Sequence, residues 1–178
     1  MHVNSRKIAI AGLLIALTVV FMHLGTMLET NTLFFIIAAS FCVGIAIREW
    51  GLKLGFAFLV ASILINILLD PNKLYCITFA GMALYIWLVE FLWKKISDAK
   101  RMAHRTMKLW LGKYLIFNAL YVPVLLFMPQ VLFTKGITKG LFILLLLLGQ
   151  AALFVFEIAY AYFQERIWGK MRVRLLGE

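Results

Sequence analysis

Six long apolar runs dominate this chain, at residues 8–28, 33–47, 54–69, 74–93, 109–133 and 141–163. Each is bounded by charge, glycine or proline, and none alternates with period two. A run of about 20 apolar residues spans the hydrocarbon core as a helix, because a helix satisfies its own backbone hydrogen bonds where no water can. The expected fold is therefore all-α, an integral membrane bundle of six helices. Composition points the same way: 64% of the residues are hydrophobic and 15% charged, against roughly half and a quarter in a soluble domain. Six spans of about 20 residues leave roughly 58 of the 178 positions for tails and loops. That is too few for a separate soluble catalytic domain, so residues 1–178 are expected to form one transmembrane domain.

The first run follows Arg6 and Lys7 in the manner of a secretory signal. It is longer than a typical signal core, and no small-x-small cleavage site precedes Glu29, so a permanent helix is expected. The second run is short and ends at Arg48-Glu49-Trp50-Gly51. Orientation follows from the cations. The N-terminal tail, the second and fourth connections and the C-terminal tail, with Lys113 at the start of the fifth run counted to the fourth connection, hold 15 of the 18 Lys and Arg residues, and the alternate connections hold 3. Lys and Arg accumulate on the cytoplasmic side, which places both termini inside. The fourth connection, 94–108, puts Lys94, Asp98, Arg101, Arg105 and Lys108 on one helical face with Ile96, Ala99, Ala103 and Met107 opposite. Such a segment is expected to lie as a short interfacial helix against membrane lipids. The net charge of +10 is accounted for by topology, so no nucleic-acid partner is expected.

No GxGxxG, GxxxxGK[ST], HExxH, GxSxG or CxxC motif occurs. No catalytic residue, cofactor or metal site is expected, and Cys42 and Cys76, inside apolar runs, read as packed thiols. Polar residues within the helices carry the functional interest, since each costs free energy in hydrocarbon unless it finds a partner. Glu90 lies four residues before Lys94, the spacing of a local helical pair. Glu157 has no cation nearby in sequence, which leaves a packing or partner-contact role against that of a proton carrier. His23, Asn66, Asn118, Tyr121 and Gln150 run from mid-membrane to the outer half. The connections there add Glu29, Thr30, Asn31, Asp70, Asn72, Lys73, Tyr75 and Gln130. A solute pocket wants this mixture of donors, acceptors and rings; interhelical hydrogen bonding that holds the bundle together wants it equally. On helix 1, Gly12 and Ala16 are four apart with Ala9 one turn earlier, a flat face that another helix can approach closely.

The opening Lys7-Ile8-Ala9-Ile10-Ala11-Gly12-Leu13-Leu14-Ile15-Ala16-Leu17 resembles the first helix of the substrate-binding S components of energy-coupling-factor transporters. These import vitamins and related micronutrients in bacteria. The segment from Gly55 to Gly81, with Asp70-Pro71-Asn72-Lys73 between two helices, is similar as well. The resemblance implies a six-helix subunit that captures a small water-soluble solute. His23, Asn66, Tyr75, Asn118, Tyr121 and Gln150 would be its ligands. Ala9, Gly12 and Ala16 would dock on a transmembrane coupling subunit driven by two ATPase subunits. The first outer connection, 29–32, is shorter than the lid such proteins often carry, and Gly12 stands where they have alanine. Two other classes fit the same pattern. One is a scaffold of the rod-shape-determining MreD type that binds proteins. The other is a small lipid-modifying enzyme, for which Glu90, His104 and Glu157 are the inner-side candidates.

Overall fold

A computed structural model of the protein describes residues 5–98, 105–127 and 139–176, and all of them are helical or in short turns. In chain order the elements are α1 (Ser5–Met27), a 3₁₀ turn (Glu29–Asn31), α2 (Thr32–Leu69), α3 (Lys73–Asp98), α4 (Arg105–Phe127) and α5 (Lys139–Tyr162). A π-helical stretch (Phe163–Trp168) and a short α6 (Gly169–Leu176) continue α5. Five helical stretches are long and apolar enough to cross a membrane. Many of their large side chains are exposed, Leu68 at 81% and Met27 at 70% among them. Apolar surface on that scale suits a multi-pass membrane protein, in which lipid covers what water would not tolerate.

The six separate helices expected from the sequence are five among the described residues. Runs two and three form one helix, α2, which is broken in dihedral angle at Gly51 alone (φ 83°, ψ 172°). This backbone region is open essentially only to glycine, so the chain bends without leaving a loop between the runs. The bend is sharp. A β-carbon at Gly55 would fall 2.8 Å from the Ile47 Cα, and the Trp50 and Phe58 rings lie 6.2 Å apart. Residues eight apart in a straight helix would be separated by about 12 Å along the axis. Of the expected linker helix 94–108, Lys94 to Asp98 belong to α3 and Arg105 to Lys108 to α4. Residues 99–104, with Arg101 and His104, lie outside the described residues, as do Pro129, Gln130 and Lys135.

Contacts divide the chain into two compact units, Met1–Phe91 and Leu92–Glu178. In the first, α1 buries Leu14, Thr18, Met22 and Gly25, a stripe at helical spacing, while Ala9, Gly12, Ala16 and Val20 remain exposed. At Gly25 an ideal β-carbon would touch the Phe35 Cβ at 3.4 Å, so the short 3₁₀ connection brings α1 and α2 together closely. Thr32 fastens it by donating its hydroxyl to the Gly25 carbonyl at 2.8 Å. Two buried hydroxyls are satisfied by the preceding turn, Thr18 donating to the Ile15 carbonyl and Ser40 to the Ile37 carbonyl, both at 2.7 Å, whereas Ser62 Oγ is buried without a hydrogen-bond partner. At the Gly51 bend, Trp87 of α3 donates its indole N–H to the Leu52 carbonyl at 3.1 Å. Arg48 Nε donates to Glu90 Oε1 at 2.8 Å. Cys42 and Cys76 are buried free thiols.

In the second unit α4 and α5 run antiparallel, with Trp110 stacked on Phe154 at 5.8 Å between ring centroids. A β-carbon at Gly112 would overlap the Leu92 side chain, so the end of α3 lies against the start of α4.

Candidate functional site

Polar side chains of the second unit form a seam along the α4–α5 contact. Lys113 Nζ lies 2.5 Å from Glu157 Oε2, with side-chain exposures of 21% and 5%. The Lys113 ammonium also stands 5.2 Å from the centre of the Trp110 ring, a cation–π distance. Further along, Gln150 Nε2 donates to Asn118 Oδ1 at 2.8 Å and Asn118 Nδ2 donates to Gln150 Oε1 at 3.4 Å. Asn118 Nδ2 also reaches the Tyr114 carbonyl of its own helix at 2.8 Å. At the far end Tyr121 donates its hydroxyl to the Leu145 carbonyl at 3.0 Å. The Tyr121 ring fills the space where a β-carbon at Gly149 would be, so glycine there seats the ring.

Chemically, the seam neutralises itself. Each charge or amide faces a complement, so its burial in an apolar span is offset within the helix pair. Glu157 is not isolated: its cation is Lys113, 44 residues earlier, in the third turn of α4 rather than in a loop. Glu90 likewise pairs with Arg48 across helices. An antiparallel hairpin of the fifth and sixth runs keeps the sum of facing residue numbers nearly constant. The run bounds 109–133 and 141–163 set that sum at 272 to 274, whereas the observed pairs sum to 270 and 268, so the sequence brings these residues to the same helix pair without fixing which faces which.

The first unit holds a different arrangement where α1 ends and α3 begins. An open cleft of about 450 Å³ is lined by Thr26, Pro71, Asn72, Lys73 and Leu74. Its floor is a capped turn: the Asn72 N–H donates to Asp70 Oδ1 at 2.9 Å, and the Leu74 N–H donates to Asn72 Oδ1 at 3.1 Å. Lys73 Nζ donates to the carbonyls of Ile67 and Asp70, placing positive charge at the C-terminal end of α2, where the helix dipole favours it. Asp70 is 3% exposed, and its Oδ2 is buried without a hydrogen-bond partner.

Among the solute ligands expected from the sequence, His23, Asn66 and Tyr75 belong to the first unit and Asn118, Tyr121 and Gln150 to the second. His23 is exposed on α1, on the side that carries Ala9 and Ala16. Asn66 is buried and donates its amide to the Ser62 carbonyl at 2.8 Å. Its own carbonyl receives the Asp70 N–H at 2.8 Å and the Cys76 thiol at 3.4 Å. Tyr75 is half-buried in the first turn of α3. Thr26 was not singled out by its sequence context, yet it lines the cleft. Ala9, Gly12 and Ala16 are all exposed, and nothing lies within 4 Å of a β-carbon built at Gly12. No family model matches the chain, and no curated protein or solved structure matches it either.

Proposed function

We propose that the chain is a membrane-embedded substrate-binding subunit of an importer similar to the energy-coupling-factor type. It takes a small water-soluble micronutrient from outside the cytoplasmic membrane and docks through α1 to a transmembrane coupling subunit that works with two ATPase subunits. In this proposal the two limbs of α2 cross separately, giving six passes with both termini cytoplasmic, in keeping with the 15 to 3 distribution of Lys and Arg. The chain itself performs no catalysis.

The observation that carries the proposal is the split of α1 into two faces. Leu14, Thr18 and Met22 are buried, while Ala9, Gly12 and Ala16 stay exposed, with open space over Gly12. A flat, small-residue surface lets a second transmembrane helix come close without displacing large side chains. The cleft at Thr26 and Asn72 supports solute capture, because it joins donors, acceptors and a cation at the end of a helix bundle. The test is affinity isolation of the tagged full chain from native membranes in mild detergent. Wild type should bring down a membrane subunit and ATPase subunits, and Gly12→Leu should lose them while eluting as a folded protein of unchanged melting temperature. Loss of folding in Gly12→Leu, or isolation of the wild type without ATPase subunits, would count against the proposal.

The reciprocal Asn118–Gln150 amide pair favours a second function, a non-catalytic scaffold of the MreD type that binds partner proteins. Those amides are occupied with each other rather than open to a solute. An extract-derived small molecule that raises the melting temperature of the purified chain argues for the importer. Co-isolated membrane proteins without ATPases argue for the scaffold.

A further inference from the structure

The second unit gathers cations at one end. The Leu92–Gly112 and Lys113–Glu157 contacts set a common level for α3, α4 and α5. Counting about 1.5 Å per residue from that level, Lys94 and Lys95 lie roughly 3–5 Å beyond it, Lys108 roughly 7 Å and Arg166 roughly 14 Å. Lys170 follows on α6. All five side chains are exposed, and among the described side chains at this end Glu165 is the exposed carboxylate set against them.

Apolar groups are interleaved with the cations: Trp93, Met107, Ile167 and Met171 are all exposed there. A soluble acidic protein or a nucleic acid would satisfy the charges but leave those side chains against water. We propose that this rim binds anionic phospholipid, with headgroup phosphates on Lys94, Lys95, Lys108, Arg166 and Lys170 and acyl chains over the interleaved apolar residues. The inference is independent of the solute proposed above. Its physical basis is charge complementarity at the depth where lysine and arginine stems lie along hydrocarbon while their heads reach phosphate.

The full chain, purified in detergent and reconstituted into nanodiscs with equal phosphatidylglycerol and phosphatidylcholine, is released for native mass spectrometry to count the lipids retained. Wild type should keep phosphatidylglycerol in several-fold excess, and the excess should shrink as salt is raised. The triple variant Lys94→Gln, Lys95→Gln, Lys108→Gln should lose it, by up to roughly fivefold for each charge removed. Replacing the same lysines with arginine should preserve it. So should Lys7→Gln with Lys53→Gln, which removes two exposed cations of the first unit. Equal retention of both lipids by wild type would overturn the proposal. So would a triple variant that keeps the preference, or a control pair that loses it to the same extent.

Discussion

Lys113 and Glu157 form an ion pair across α4 and α5, with Glu157 almost wholly buried and Lys113 partly exposed beside Trp110. The two ends of the pair are unequal. If Glu157 is neutralised, the Lys113 ammonium can extend its stem toward water. If Lys113 is removed, the Glu157 carboxylate has no such route.

Lys113→Met should therefore destabilise the protein more than Glu157→Gln. Breaking a buried pair from one side costs about 3–5 kcal/mol, and the lysine variant should approach that range while the glutamate variant falls below it. The double variant Lys113→Met, Glu157→Leu should recover most of the loss, because apolar replacement of both partners is often neutral or better. Denaturation titrations in detergent micelles measure all three. Equal losses in the two single variants would show that Lys113 cannot relax toward water.

Asn118 and Gln150 give a second measurement on the same seam. A double-mutant cycle with Asn118→Ala and Gln150→Ala should yield a coupling of about 0.6 kcal/mol, and no more than about 1.7 kcal/mol, as for other interhelical hydrogen bonds in membranes. The unfolded chain in lipid finds alternative partners, which keeps the value small. A coupling near zero would show that the amides do not depend on each other. They would then be available to a solute.

Much of the architecture is legible in the run lengths, because hydrocarbon imposes a minimum helix length that few other constraints do. The polar residues worth attention are legible too, since Glu90, Asn118, Gln150 and Glu157 stand out against apolar neighbours. Their partners are not. Local spacing pairs Glu90 with Lys94, and tertiary packing brings Arg48, 42 residues away. Lys113 looks like part of a basic loop because the α4 helix begins before its apolar residues do. The Gly51 bend is hidden for a different reason: an apolar run, a charged patch and another apolar run read as two helices and a loop. A single glycine with positive φ does the same work inside one helix.

Glycines at close approaches separate internal packing from outward faces. Gly55→Ala would set a β-carbon against the Ile47 backbone, where no side-chain rotation can relieve it. A cost of about 1–3 kcal/mol is expected, the range for overpacking. Gly12→Ala meets open space and replaces glycine with the best helix former, so it should stabilise α1 by up to about 1 kcal/mol. Thermal unfolding of the two variants side by side checks both signs. A destabilised Gly12→Ala protein would mean that this face is packed within the chain.

The bend at Gly51 makes a distance prediction that does not depend on any functional proposal. Leu33 near the start of α2 and Leu68 near its end are both exposed, so spin labels at Leu33→Cys and Leu68→Cys leave the packing undisturbed. The native thiols, Cys42 and Cys76, are buried and should label slowly. A straight helix over that stretch would hold the labels about 52 Å apart. The Ile47–Gly55 approach and the Trp50–Phe58 ring contact require the second limb to return toward the start of the first. The measured distance should then fall below about half the straight-helix value. Gly51→Ala adds a β-carbon at φ 83° and should cost about 1–3 kcal/mol. Because the contacts on either side still favour the fold-back, its label distance should stay short in molecules that remain folded. A distance near 50 Å in the otherwise wild-type protein would show one continuous rod, and with it the loss of the separate second and third crossings.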